Sequence, residues 1–384
     1  MSKTIYNFSA GPSVLPEEAL KAASLACLDF KGTGMSLMTM SHRTKPVMEM
    51  FVETENLIRE LLAVPSNFKV LFLGGGASLQ FCMAPMNLLP QDGIADYTDT
   101  GEWGAKATKE AKQFGKVNVA CSSKEANYTF LPKDLKQTAE AVYLHLTSNN
   151  TIFGTQWKTL PAPLNPNGYQ VVDMSSDIFS RPIDWTRMGM VYAGAQKNAG
   201  PAGVTLVIVR EDILGKSGRV VPTMLDYATH IKAESMFNTP PVFSVYVMNE
   251  TMKWLKNLGG VSAMQAINER KAGKLYAEID RNPMFQGTAA IEDRSPMNVP
   301  FVLNPEKVPA EQKEAKEKEF LSFCKEKGLE TLAGHRVVGG FRASIYNAMP
   351  EAGIRASIYN AMPEAGIDTL VAAMQEFSKK NCIE

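Results

Sequence analysis

The chain has 384 residues, 45% hydrophobic and 21% charged, with 40 basic residues against 40 acidic ones. That composition supports a large core in one or two domains. Its balanced charge gives no electrostatic case for a nucleic-acid or anionic-membrane partner. The opening MSKTIYNFSAGPSVLP has no apolar core of signal-peptide length, and no apolar run approaches a membrane span. Cys27, Cys82, Cys121, Cys324 and Cys382 are scattered, as are the four histidines. That scatter predicts reduced thiols in a cytoplasmic protein and no metal site.

Residues 1–15 read as an extended arm punctuated by Gly11-Pro12. Pro16-Glu17-Glu18 opens a helix with Ala19, Leu20, Ala23 and Leu28 at helical spacing. His42 and Arg43 lie in a loop before a second helix, roughly 46–62, either as an anion site or as solvated side chains. A strand over 69–73 runs into Gly74-Gly75-Gly76-Ala77-Ser78, and an apolar helix over 79–89 follows. Strand, glycine turn and helix present bare backbone N–H groups to a phosphate, although three glycines also make a plain tight turn. Trp103 reads as a loop residue just before a helix, free to stack on a flat ring or to pack.

A strand over 141–146 ends in the polar loop 147–151. A second strand ends at Asp173, at the edge where open α/β sheets bind ligands. Two further apolar runs flank Lys197 in VYAGAQKNAGPAGVTLVIV. The second of them, 204–209, suits a buried parallel strand. A lysine walled in by Ala193, Gly194, Ala195, Ala199 and Gly200 is an odd choice for packing, and burial lowers its pKa and makes it nucleophilic. Alone it reads as an exposed loop-tip lysine, since lysines are rarely buried. Paired with Asp173 it fits a pyridine-ring cofactor, which needs an amine for its aldehyde and a carboxylate for its ring nitrogen. The glycine turn then offers a phosphate cup and Trp103 a stacking face.

The loop MFNTPP leads to a helix over 245–258 that stops at Gly259-Gly260, where a domain boundary is expected. That divides the chain into the arm, a large domain over 16–260 and a small domain over 261–384. A charged helix over 311–327 carries Glu314 and Lys318 four positions apart. His335 and Arg336 precede an apolar strand that Arg342 opens, which suggests a carboxylate clamp. RASIYNAMPEAGI, residues 342–354, then recurs unchanged as 355–367. Two copies do not make a solenoid, and the repeat reads as a recent duplication or an error in making or recording the chain.

FSAGPSVLP, MSHRTKPV, FLGGGASLQF, SNNTIFGTQ, DMSSDIFSRPID, YAGAQKNAGPAG, MFNTPP and GHRVVGGFRASIYNA together resemble the phosphoserine aminotransferases. These are class-V enzymes dependent on pyridoxal 5'-phosphate. The resemblance covers nearly the whole chain. It implies the type I fold of such enzymes, α/β, with a large domain built on a mostly parallel sheet flanked by helices plus a smaller α+β domain. It also implies a Schiff base at Lys197, Asp173 on the pyridine nitrogen and Trp103 on the ring. Gly76, Ala77, Ser78, Thr151 and Gln196 would surround the cofactor, and Asn238 and Thr239 would reach the cofactor phosphate of a neighbouring subunit. His42, Arg43, His335 and Arg336 would hold the substrate's phosphate or distal carboxylate, and Arg342 its α-carboxylate.

The implied reaction is 3-phosphohydroxypyruvate plus L-glutamate to O-phospho-L-serine and 2-oxoglutarate, in serine biosynthesis, by a homodimer with shared sites. Some members also aminate a four-carbon phosphorylated keto acid in pyridoxine biosynthesis. A desulfurase would need a cysteine on a mobile loop, a context that Cys324 and Cys382 lack. A rival of another class is a catalytically dead member that binds partners. The second repeat copy departs from the family. Arg342, rather than Arg355, keeps the family's spacing from His335-Arg336, and the two copies could compete for strand register.

Overall fold

The computed structural model describes residues 5–349 and 366–381. The arm supplies strand β1 (Tyr6–Asn7), and helices α1 (Glu17–Leu28) and α2 (Lys45–Leu62) follow. Strands and helices then alternate through β2 (Phe68–Leu73), α3 (Gly76–Leu88), β3 (Ile94–Asp99), α4 (Glu102–Ala111), β4 (Lys116–Ser122) and β5 (Tyr143–Thr147). A buried hairpin, β6 (Asn149–Asn150) and β7 (Thr155–Gln156), precedes β8 (Tyr169–Asp173), β9 (Met188–Gly194) and β10 (Thr205–Arg210). Helices α5 (Tyr227–Lys232), α6 (Val242–Asn257) and α7 (Gly260–Arg281) lead into β11 (Phe285–Gly287), β12 (Asn298–Leu303), α8 (Ala310–Glu326), β13 (Leu329–Glu330), β14 (Phe341–Ser344) and α9 (Gly366–Lys380).

The central sheet has the order β2-β10-β9-β8-β5-β3-β4. From β9 to β4 every pairing is parallel, which is the expected mostly parallel α/β sheet. β10 departs from the sequence expectation, because it runs antiparallel to both β9 and β2. The turn from β9 to β10 is too short for a parallel crossover, which takes a dozen or more residues. An apolar run buried on both faces reads the same in either direction.

Side chains alternate between two layers. Leu146, Val172, Val191 and Ile208 pack with α2 and α6, whereas Tyr143, Val171, Tyr192 and Val207 pack with α3 and α4. Asp173 shares the parity of Val171, so it ends β8 on the α3/α4 side.

Several boundaries differ from the sequence reading. Helix α1 buries Ala19, Ala23 and Ala26 and leaves Leu20 and Leu28 exposed, since its small residues form the side that meets α6. Helix α3 begins at Gly76, ahead of its apolar stretch, because Gly75 takes the left-handed conformation at its N-cap. Trp103 sits in the first turn of α4 and not in a loop. The polar segment 147–151 is buried, with the hairpin pairing its backbone groups.

A second core gathers Phe285, Phe301, Phe320, Phe341 and Phe377 around the antiparallel sheet β11-β12-β14. The arm joins it through Tyr6 and Phe8, and β1 pairs with β13. Helix α7 links the cores, with Val261, Met264 and Ile267 in the first and Ala272, Leu275 and Ile279 in the second.

The first repeat copy fills β14, where Arg342 pairs with Pro300 and Ser344 with Asn298. Phe341, just before that copy, meets Phe320 edge-on with ring centroids 4.7 Å apart and Phe301 at a tilt with centroids 5.2 Å apart. The second copy is preceded by Ile354, which carries no ring for that cluster. The last two residues of the second copy, Gly366 and Ile367, open α9. Arg355 lies outside the described residues. Among the described residues no helix is long and apolar enough to cross a membrane, no His/Cys/Asp/Glu group suits a metal, and Cys27, Cys82, Cys121 and Cys324 are free thiols.

Candidate active site

Lys197 lies in the turn between β9 and β10, at the C-terminal edge of the parallel strands. Its Nζ donates to Thr151 Oγ1 at 2.9 Å. The arm crosses over it. A side chain at Gly11 would meet Lys197 Cγ at 3.5 Å, and Ser13 Oγ donates to the Lys197 carbonyl. Burial pushes the amine down to about 8, with Asp173 opposing and Arg342 reinforcing the shift. A large share of the amine is therefore neutral near pH 8, where an ordinary lysine is almost wholly charged.

Asp173 is buried and accepts the backbone N–H of Ser175 at 2.9 Å. Burial raises its pKa, and Ser175 and then Lys197 pull it back. Among the described residues it has no ion pair within 4.0 Å, so its charge meets that of Lys197 only at longer range. A buried carboxylate held by Ser175 alone, with no cation in contact, suits a further cation or donor.

Trp103, fixed in the first turn of α4, sets its ring centroid 6.0 Å from Lys197 Nζ, and its indole Nε1 is buried without a partner. Gly101 caps α4, and any side chain there would strike Asn150 Oδ1 at 2.5 Å. At the start of α3, Gly75 has φ +85, and a Cβ on it would strike Leu79 at 2.4 Å. No side chain caps this helix, so the first N–H groups of Gly76, Ala77 and Ser78 have no intrahelical partner. Gln196, beside Lys197, folds its side chain against Gly194 and accepts Ser13 N–H at 2.9 Å through its carbonyl.

Arg342 projects from β14 toward the same centre, which it reaches through its effect on Lys197. Its Nε is buried and unpartnered. His335 joins it, and its pKa is lowered by burial, then by Arg342 and Arg336, with Glu102 opposing. Arg336 is exposed beside it.

His42 and Arg43 lie in the turn just before α2, as the sequence reading expects. Asn238 and Thr239 line a separate cavity of about 370 Å³ with Gly74, Leu79 and His230. Among the described residues no hydrogen bond links these four to Lys197. The chain thus gathers Lys197, Asp173, Trp103, Thr151 and Arg342 about one centre.

Tyr346 and Asn198 were missed in the sequence. The Tyr346 phenol accepts Asn298 Nδ2 at 3.1 Å, donates to the Ala10 carbonyl at 3.0 Å and bonds with Thr151. Position alone could have flagged them, since Asn198 adjoins Lys197 and Tyr346 falls in the quoted RASIYNA motif.

The family model described as aminotransferase class-V matches residues 5–370. A phosphoserine aminotransferase of Flavobacterium johnsoniae is 52% identical over 90% of this chain and 94% of its own. Among solved structures, a phosphoserine aminotransferase from Bacillus circulans subsp. alkalophilus superposes with a TM-score of 0.90 at 43% identity, covering 99% of this chain and 100% of that one. The PLP-bound phosphoserine aminotransferase of Trichomonas vaginalis gives a TM-score of 0.87 at 38% identity, over 97% of this chain and 100% of that one. With that match over nearly its whole length, the chain belongs to the class-V aminotransferase family.

Proposed function

We propose that the protein is a phosphoserine aminotransferase. It exchanges an amino group reversibly between L-glutamate and 3-phosphohydroxypyruvate, giving 2-oxoglutarate and O-phospho-L-serine for serine biosynthesis. A four-carbon phosphorylated keto acid of pyridoxine biosynthesis is a second substrate of the same kind. The carrying observation is a lysine amine lowered to about 8 in the field of a buried carboxylate with no ion pair among the described residues.

The residues present fit pyridoxal 5'-phosphate. The unpartnered Trp103 indole, the uncapped α3 terminus and the glycines that no Cβ could replace supply a stacking face and a phosphate cup. Gly76, Ala77 and Ser78 would hold the phosphate, Trp103 the ring, Asp173 the ring nitrogen, and Thr151 and Gln196 the rest. When bound, the cofactor supplies an aldehyde for the amine and an electron sink for the α-carbon.

Lys197 Nζ would take the α-proton of a bound amino acid as general base and would deliver it to the cofactor's aldehyde carbon rather than back to the α-carbon. Asp173 holds the ring nitrogen's proton, for which a buried anion is suited. Arg342 binds the α-carboxylate with a planar fork, and His335-Arg336 take the distal anion, a phosphate or a carboxylate. We assign His42, Arg43, Asn238 and Thr239 to the site of a second copy, so the active form is a homodimer, working in the cytoplasm. On the same reading the arm covers 1–15, the cofactor domain 16–260 and the small domain 261–384.

The test is a half-reaction. Purified protein with bound cofactor is mixed with L-glutamate, and separately with O-phospho-L-serine, and the visible absorbance is followed. Both are expected to bleach the yellow band, and 3-phosphohydroxypyruvate is expected to restore it. Bound cofactor that neither amino acid bleaches points instead to a catalytically dead binding protein.

A further inference from the structure

Outside the reacting groups lies a buried chain of amides. Asn198, next to Lys197, accepts the backbone N–H of Asn347 through Oδ1 at 3.0 Å. The Asn347 side chain donates to the Phe179 carbonyl at 3.0 Å and accepts from Asn268 Nδ2 at 2.8 Å. Phe179 has φ +61, an outlier for a bulky residue, and its carbonyl is the one that Asn347 takes. Lys271, fully buried, donates to the carbonyls of Ile345, Tyr346, Asn347 and Met349 at 2.8 to 3.3 Å. Helix α7, through Asn268 and Lys271, therefore grips the turn after β14, and that turn grips the Lys197 loop.

We propose that the Asn198–Asn347 link positions Lys197 for its reaction, and that Asn347 of the first repeat copy supplies it rather than Asn360, its duplicate. This rests on the transaminase reading above. Low-dielectric surroundings make each satisfied amide bond stiff and each broken one costly. The link leaves the turn that carries Lys197 little freedom to drift from Thr151. Side-chain chemistry cannot choose between identical copies. The choice falls to the flank, where Phe341 enters the aromatic core ahead of the first copy and Ile354 precedes the second. Arg342, Tyr346 and Asn347 then arrive together from one copy.

The experiment compares the holoenzyme with Asn347→Ala, Asn198→Ala and Asn360→Ala. It reads kcat, thermal stability and the pH midpoint of the bound cofactor's visible absorbance. Asn347→Ala and Asn198→Ala are expected to lose on the order of 10- to 10²-fold in kcat, the range for a small misplacement of a reacting group. Their absorbance midpoints are expected to move by about one pH unit, because the amine leaves its set environment. Asn360→Ala is expected to match wild type in all three readings. Asn198→Ala removes the acceptor of the link with both repeat copies intact, whereas Asn347→Ala keeps the backbone donor and removes the side-chain bonds to Phe179 and Asn268 that hold that donor's turn in place. A wild-type midpoint in Asn198→Ala, which lacks the acceptor of the link, overturns the positioning role even if stability is lowered. Loss of kcat in Asn360→Ala overturns the choice of copy. A wild-type enzyme that glutamate does not bleach counts against the transaminase reading and not against the link.

Discussion

Replacing Lys197 by alanine is expected to lower kcat for the glutamate half-reaction on the order of 10⁴-fold, the upper range for losing a positioned general base. The expectation follows from its surroundings. The amine is held by one hydroxyl, at 2.9 Å, in a site that favours its neutral form. Among the described residues no other lysine donates to the Thr151 hydroxyl. Lys106 is the nearest rival, 4.6 Å from the Trp103 centroid, but it pairs with Glu102 and is half exposed. A half-exposed side chain tied to a neighbouring carboxylate on its own helix is not held against the Thr151 hydroxyl as Lys197 is. Rapid mixing of the variant with L-glutamate measures this, and turnover within tenfold of wild type contradicts the assignment.

The second large effect is expected at Asp173. Asp173→Ala, and equally Asp173→Asn, should lower kcat roughly 10²- to 10³-fold, the scale on which losing one preorganised electrostatic group acts. Both should also weaken cofactor binding. The asparagine retains the shape and can still accept the Ser175 N–H, so it separates charge from packing. Were Asp173 merely a cap for the turn after β8, Asn would restore activity and Ala would not. Spectrophotometric titration of each variant with cofactor, alongside kcat, distinguishes the two.

Much of this site was legible along the chain because each feature is local. A lysine among small residues, an acid ending an apolar strand and three glycines between strand and helix each carry their own signature. What could not be read is set by long-range packing. The direction of β10 depends on the shortness of its turn and not on its apolar run. The arm's cover over Lys197 joins Gly11 and Ser13 to a residue far along the chain. Trp103 was assigned to a loop because a glycine on each side suggests a break, yet Gly101 is a cap and Gly104 lies inside the helix. The repeat copies are indistinguishable locally, and only the aromatic core around Phe341 separates them. Asn238 and Thr239 carry no chemical signature of their own along the chain, and they were singled out by resemblance alone.

The most direct measurement is to reduce the cofactor-loaded protein with borohydride, digest it and locate the added mass by peptide mass spectrometry. The label is expected on the peptide containing Lys197 and on no other. A label on Lys106, on any other lysine, or on none contradicts the account at its foundation.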